Sequence, residues 1–275
     1  MNDLVVIMSI YINDRLEFVK ESVESILNQT YPHFDYFISF DGPVSVDIDK
    51  YITSLTDGRV KLFRIEKNGG LARALNMMLE IIMAAPQYKY IARMDADDIS
   101  MPTRFEKQRI FLNENTDITI LGSWYEEINE KGEHLSFRRL PTEHEALRRR
   151  YFTGTPFAHP SVIYRRELIE KAGFYPTETI FMEDNLLWGR ALKAGLVFAN
   201  MPDFLLKFRR DAKFYERRSG FKYGWNFILT RIKVFKLVKA SYLLYMFAII
   251  SGIIKMMPSP VIRHSYNFER KYLQN

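Results

Sequence analysis

The chain is 275 residues long, 47% hydrophobic and 26% charged, a globular composition that excludes wholesale disorder. It has no cysteine, which excludes a disulfide scaffold, a thiol nucleophile and a Cys-ligated metal site. The net charge of +6 is unevenly placed: residues 205–275 hold 15 Lys/Arg against 3 Asp/Glu, a net of +12, leaving 24 against 30, or −6, for the first 204. An acidic body with a basic tail calls for an anionic partner, either a membrane surface or a polyanion.

Met1-Asn2-Asp3 lacks the basic start of a signal peptide, so Leu4–Ile10 reads as a buried strand. A helix is predicted from Asp14, with Asp14 and Glu17 spaced as a capping box and Leu16, Val19, Val23, Ile26 and Leu27 at helical spacing. Tyr31-Pro32 stops it. Tyr36–Phe40 is a second strand, ending at Asp41-Gly42-Pro43, and Val60–Ile65 a third. Asn68-Gly69-Gly70 opens a helix to about Met83, and Tyr88–Met94 is a fourth strand running into Asp95-Ala96-Asp97-Asp98. Pro102 starts a helix to about Asn113, and Ile118–Gly122 is a fifth strand. Further on, Trp124–Ile128 and Leu135–Leu140 read as a hairpin around Lys131-Gly132 and Phe157–Tyr164 as a strand. Arg166–Gly173 reads as a short helix, and Glu183–Ala194 as another with Gly195 just past its end.

Strands alternating with helices predict an α/β fold with a mostly parallel sheet covered on both faces. Ligands bind such sheets at the carboxyl ends of the strands. Three polar clusters fall there: Tyr11 to Asn13, Asp41-Gly42 and Asp95 to Asp98. No internal repeat or low-complexity linker interrupts residues 1 to about 210, which read as one domain.

Asp95-Ala96-Asp97-Asp98 sets three carboxylates in four residues at the end of an apolar strand. Like charges that close raise one another's pKa unless a cation joins them, and hard divalent cations take oxygen ligands. The turn therefore reads as a metal–diphosphate site or as an acidic cap for the helix beginning near Pro102. Glu183-Asp184 is a second acidic pair, at a helix start, where carboxylates also favour the helix dipole. Group transfer from a diphosphate to a hydroxyl needs a base for the hydroxyl's proton, and a carboxylate can serve.

Six blocks in this order resemble the family 2 glycosyltransferases, particularly bacterial enzymes that build capsule, O-antigen and exopolysaccharide repeat units. They are Met8–Tyr31, FDGP (Phe40–Pro43), KNGGLARALN (Lys67–Asn76), ARMDADDISMPTRFEKQ (Ala92–Gln108), FAHPSVIYRRELIEKAGFY (Phe157–Tyr175) and MEDNLLWGRALKAG (Met182–Gly195). The resemblance implies a GT-A fold with a Rossmann-like nucleotide-binding half at residues 1–122 and an acceptor-binding half at 123–210. It implies nucleotide contacts from Tyr11, Asn13, Asp41, Asn68, Arg73, Asp95 and Ala96. Asp97 and Asp98 would serve a divalent cation, Mg²⁺ or Mn²⁺; Asp184 would be the catalytic base, with Glu183 orienting groups beside it. His159 is read either as lining the acceptor side or as a structural histidine. Arg209, Arg210, Arg217 and Arg218 are read either as diphosphate contacts or as a basic face for lipid. The reaction implied is single displacement with inversion, from a nucleotide sugar, a UDP-sugar above others, to a polyprenyl-diphosphate-linked saccharide. The Q-x-x-R-W signature of processive synthases is absent, which favours adding one sugar.

Ala240–Ile254 is fifteen residues without a charge. As a helix it would span about 22 Å, short of the roughly 30 Å hydrocarbon core. Arg231, Lys233, Lys236 and Lys239 precede it and Arg263, Arg270 and Lys271 follow, which suits a segment lying in one leaflet. A buried core helix and a true span are the alternatives. Residues 211–275 are thus expected to form a helical tail at the cytoplasmic face of the inner membrane, peripheral or monotopic. Two other function classes stay open. A sugar-phosphate nucleotidyltransferase would show a Gly-rich basic loop near its first strand, and Ile10–Arg15 is not one. A nucleic-acid-binding protein suits the basic tail but not the acidic body, so no nucleic-acid partner is expected.

Overall fold

The computed structural model of the chain describes residues 2–179, 182–211, 214–260 and 262. Its centre is a nine-stranded sheet in the order β3-β2-β1-β4-β8-β6-β9-β5, with β7 paired to β6. The strands are β1 (Leu4–Ile10), β2 (Phe34–Asp41), β3 (Val60–Ile65), β4 (Tyr90–Asp95), β5 (Ile99–Ser100), β6 (Ile118–Ile128), β7 (His134–Arg138), β8 (Ile163–Arg165) and β9 (Val197–Arg209). The helices are α1 (Leu16–Leu27), α2 (Val46–Thr53), α3 (Leu71–Met83), α4 (Arg104–Glu114), α5 (His144–Thr153), α6 (Glu167–Ala172), α7 (Glu183–Lys193), α8 (Phe221–Leu237) and α9 (Tyr242–Lys255).

β1 shows why the sheet is buried on both sides. Leu4, Val6, Met8 and Ile10 point into one apolar cluster, with Val19 and Val23 of α1, Ile48 of α2 and Phe105 of α4. Val5 and Ile7 point into the other, with Leu75 and Met78 of α3, Leu187 of α7 and Val234 of α8. A strand covered twice has no polar face, which accounts for its continuous apolar run. The parallel register β1–β2–β4 pairs Ser9 with both Ser39 and Asp95. That register, not loop packing, brings Tyr11, Asp41 and Asp95 to one edge.

Several expectations change. Asp14 and Glu17 make no capping box: Arg15 is the N-cap, and an Asp14 carboxylate oxygen accepts from the Tyr11 N–H at 2.8 Å. Ile118–Gly122 and Trp124–Ile128 are one continuous strand, β6. Phe157–Tyr164 is not a strand along its length, because His159–Ser161 forms a 3₁₀ turn around Pro160 and only Ile163 onward pairs. Helix α7 ends as expected, with Gly195 at φ 75° and the N–H of Leu196 reaching back to the Ala191 carbonyl at 3.0 Å.

The tail is docked on the body. Arg231 was read as a cation flanking a membrane segment, but it is buried and donates to the carbonyls of Tyr151 (2.6 Å) and Gly154 (3.0 Å). A buried guanidinium closing the carboxyl end of α5 complements that helix's dipole. Helix α9 meets α8 at Gly224 and Gly252: a Cβ on Gly224 would lie 2.5 Å from the Gly252 carbonyl oxygen and 2.9 Å from the Met256 nitrogen. Among the described residues no helix is long and apolar enough to cross a membrane. Arg263, Arg270 and Lys271 lie outside the described residues.

Because two of the three nearest atoms facing Gly224 are backbone, the third being the Met256 Cγ, Gly224→Val is expected to force the helices apart. Overpacking of this kind typically costs about 1–3 kcal/mol. A lowered urea midpoint, with faster tryptic cleavage at the exposed Lys239 between the helices, is the expected result.

Candidate active site

The first two strand ends and the loop opening α3 form one wall. Asp41 is buried, and its carboxylate accepts from the N–H groups of Gly69 (2.7 Å) and Gly70 (2.9 Å). The Asn68 amide donates back to the Asp41 carbonyl at 3.1 Å. Gly42, at φ 81°, is required here: a Cβ would sit 2.7 Å from the Asn68 nitrogen. Asp41 therefore ties the loop, a task its residue type alone did not announce. Tyr11 and Asn13 are exposed beside it, and Arg73 is exposed in the first turn of α3 with its side chain over Gly69. Burial pushes the Asp14 carboxyl beneath Tyr11 up to about 8.

The acidic turn is the second wall. The donor oxygens of Asp95, Asp97 and Asp98 all lie within 4.8 Å of one another. Asp95 forms an ion pair with Arg93, and its carbonyl accepts from the Ser22 hydroxyl at 2.7 Å. Ala96 is buried between the carboxylates. Asp98 is buried; one oxygen accepts from the Arg209 N–H at 2.7 Å, and the other is buried with no hydrogen-bond partner. An orphaned carboxylate oxygen beside two further carboxylates is a donor set that fits a hard divalent cation. Burial, and then the Asp95 carboxylate, push Asp97 up to about 6. Burial and both neighbours hold Asp98 well above the usual range.

The expectation that Arg209 contacts a diphosphate needs correction. Its guanidinium is buried and holds the turn from below, bonding the carbonyls of Asp97 (2.8 Å), Asn129 (3.3 Å) and Glu130 (3.1 Å) and pairing with Glu21. Arg210 bonds Glu127 at 3.1 Å. Arg217 and Arg218 differ from these. Arg217 pairs with Asp211 at 2.9 Å and lies close enough to Asp97 and Tyr11 to act on their charge. Arg218 stacks on the Phe214 ring at 3.9 Å and acts in the same way on Asp184.

The third wall is the N-terminus of α7, fixed where the Tyr151 hydroxyl donates to the Asn185 carbonyl at 2.6 Å. Glu183 and Asp184 stand in its first turn, partly exposed. Burial, then Asp184, push Glu183 up to about 7. Burial raises Asp184 as well, opposed by the N–H of Asn185 and by Arg93. His159 bonds the Tyr175 hydroxyl at 2.9 Å and packs edge-on to Trp188; burial, with Arg93 nearby, holds it neutral, as a structural histidine would be.

Arg93 is the residue that sequence reading missed. It is 2% exposed, its Nε and Nη1 have no hydrogen-bond partner, and it favours the ionised forms of Asp97, Asp98, Glu183 and Asp184 as well as pairing with Asp95. The acidic turn and the head of α7 thus lie within electrostatic reach of one buried cation. The available signal was an arginine inside the apolar run Tyr88–Met94, since a charge in a strand buried on both faces must find partners.

The raised carboxyls fix a pH dependence. In the folded chain Asp97, Glu183 and Asp14 hold protons that the unfolded chain has already lost between about pH 4 and 8. With more protons on the folded state, stability falls as pH rises through that window. The ligand-free protein is therefore expected to melt at higher temperature near pH 5.5 than near pH 8, with Asp97→Asn reducing the difference and Asp14→Asn reducing it further. Thermal unfolding across pH checks this.

Comparison with known proteins agrees with the architecture. The model of "Glycosyl transferase family 2" matches residues 5–173, ending before Glu183. The amylovoran biosynthesis glycosyltransferase AmsE of Erwinia amylovora is 29% identical over 97% of this chain and 98% of its own. The UDP-Gal:alpha-D-GlcNAc-diphosphoundecaprenol beta-1,3-galactosyltransferase of Escherichia coli is 31% identical over 92% of this chain and 91% of its own. The crystal structure of S. aureus TarS 1–349 in complex with UDP-GlcNAc superposes with a TM-score of 0.61 at 16% identity, over 95% of this chain and 83% of that one. Against the longer chain of the crystal structure of S. aureus TarS the likeness spans 42% of that chain. The match over most of the sheet, on strand ends that carry an acidic turn, places the chain in glycosyl transferase family 2: it is a glycosyltransferase of GT-A-like α/β fold.

Proposed function

We propose that the enzyme transfers one sugar, with inversion, from a nucleoside-diphosphate sugar to a hydroxyl of a polyprenyl-diphosphate-linked saccharide in bacterial surface-polysaccharide assembly. The observation that supports this reading is the buried Arg93, which pairs with Asp95 of the acidic turn and acts on the charge of Asp184. The donor is taken as a UDP-sugar and the acceptor as lipid-linked, in keeping with the names of the E. coli relative and of the TarS complex. Residues 1–122 would hold the donor and 123–210 shape the acceptor side. Nucleotide sugars are cytoplasmic, so the reaction is assigned to the cytoplasmic face of the membrane.

In this reading Tyr11, Asn13, Asp41, Asn68 and Arg73 line the nucleoside, with Asp95 at the ribose. A divalent cation held by Asp97 and supported by Asp98 would offset charge on the leaving diphosphate. Asp184 accepts the proton of the acceptor hydroxyl as that oxygen forms its bond to the anomeric carbon and the bond from that carbon to the diphosphate oxygen breaks. The transition state has oxocarbenium character, like that of glycoside hydrolysis. Two features favour the ionised form of Asp184 against its burial: the Asn185 N–H at the positive end of α7 and the guanidinium of Arg93. Glu183 orients groups beside it, and Arg217 and Arg218 stand where they can meet phosphate.

Asp184→Asn should lower turnover about 10²–10⁴-fold, the usual range for loss of a general base, while leaving nucleotide-sugar binding intact. Asp97→Asn should abolish thermal stabilisation by UDP-sugar with Mg²⁺ or Mn²⁺, as should chelation. The measurements are transfer to a lipid-linked saccharide and melting shifts across a nucleotide-sugar panel. Full transfer by Asp184→Asn would remove the assignment of the base.

A further inference from the structure

We propose that the outward face of the α8–α9 hairpin is an in-plane docking surface for an anionic lipid leaflet. Both of its helices leave large apolar side chains exposed. On α9, Leu243, Met246, Ile250 and Ile253 recur at three- and four-residue spacing, 43–78% exposed, while Ala248 and Gly252 on the opposite side are buried against α8. On α8, Phe221 and Trp225 stack with ring centroids 6.3 Å apart, and both are exposed. Contiguous exposed apolar surface on this scale marks an interaction site.

Charge selects the occupant. From Arg217 to Phe268 the chain contains no acidic residue. At about 100° per residue, Phe221, Trp225 and Leu229 span about 80° of α8, and Lys236, Lys222 and Lys233 fall from about 60° to 120° on the same arc. Those lysines are exposed. An apolar stripe with cations along its edge is the pattern of a helix lying at the boundary between head groups and acyl chains. A second copy of the chain fits worse, because a two-fold contact would press together two hairpins that each hold six cations, Arg231 among them buried, and no acid over residues 221–255. The helices are also seated for the task. Arg231 and the Gly224–Gly252 contact fix the hairpin to the body, so it presents a rigid face rather than a span.

This inference is independent of the sugar chemistry, and its test reads no transfer. The full chain is floated with vesicles of phosphatidylcholine alone, or of phosphatidylcholine with phosphatidylglycerol, at low and high salt. Binding is expected on the anionic vesicles, at least tenfold weaker on the neutral ones, and weakened by salt. Tryptophan emission should shift to the blue on binding and lose that shift in Trp225→Phe, which separates Trp225 from the half-buried Trp124 and the fully buried Trp188. Leu243→Ser with Ile250→Ser, and separately Lys233→Glu with Lys236→Glu, should each cut binding at least tenfold with an unchanged melting temperature, as all four side chains are exposed. Absence of binding would overturn the proposal, as would equal binding to neutral vesicles, or variants that bind like the parent. A dimer that the serine variants dissociate, without vesicle binding, would assign the face to a second copy instead.

Discussion

The site depends on one constraint: more negative charge is gathered in the cleft than its own cations offset. Asp95, Asp97, Asp98, Glu183 and Asp184 converge on a single buried guanidinium, that of Arg93. Carboxylates so placed must take up protons, attract cations or move apart. Moving apart is prevented. The β4 register fixes Asp95, and the Arg209 N–H and guanidinium pin Asp98 and the backbone of Asp97. Asp184 is held at the head of a helix anchored through Tyr151. Taking up protons is what the raised carboxyls of Asp97 and Glu183 record. Attracting a cation is the remaining outlet, and the orphaned oxygen of Asp98 is where the frame leaves it open.

That frame follows from strands with no polar face. Since β1, β2 and β4 are covered on both sides, their side chains offer nothing to solvent until the strands end, and the chemistry is displaced to the carboxyl edge. Arg93 is the exception within the strands, and its tolerance there depends on the carboxylates it serves. An uncompensated guanidinium at 2% exposure would be strongly destabilising. Site and core are therefore coupled through one side chain: the acidic turn makes the buried arginine acceptable, and the arginine makes the clustered acids acceptable.

This coupling also explains what could be read in advance. Strand ends marked by Tyr11, Asp41 and Asp95 were legible, because an apolar run that stops at polar residues says where a buried strand emerges. Helix α5 was not, as only Leu147 and Tyr151 of its ten residues are buried and its arginines hide the stripe. Strand β9 was also missed. Pro202 cannot donate to a ladder, yet the register with β6 skips Pro202 and Asp203, from Met201 opposite Ser123 to Phe204 opposite Trp124, so the proline needs no ladder partner. The roles of Arg209 and Arg231 were misread for a common reason. Arginine in a basic stretch suggests a surface, whereas each of these is buried against backbone carbonyls that only the tertiary fold brings near. The helix α2 start, with the Ser45 hydroxyl accepting from the Ile48 N–H at 3.3 Å, was within reach of local pattern alone.

The order of residues from β9 to α8 joins the remaining parts. Arg209 ends β9 beneath the acidic turn, Arg217 and Arg218 then face Asp97 and Asp184, and Phe221 opens the exposed apolar face. One short stretch thus runs from the carboxylates to the surface assigned to lipid. In the reaction proposed above, an acceptor tethered by a polyprenyl diphosphate would bring its hydroxyl only a limited way out of the bilayer, and Asp184 would have to sit close to the head groups. A hairpin bolted to the body beside α7, rather than a span on a flexible linker, would fix that height. The same arginines would then stand near the acceptor's own diphosphate, where lipid gives way to water. On that proposal, basic residues between Asp184 and the lipid-facing surface suit an acceptor that is an anion at its anchored end.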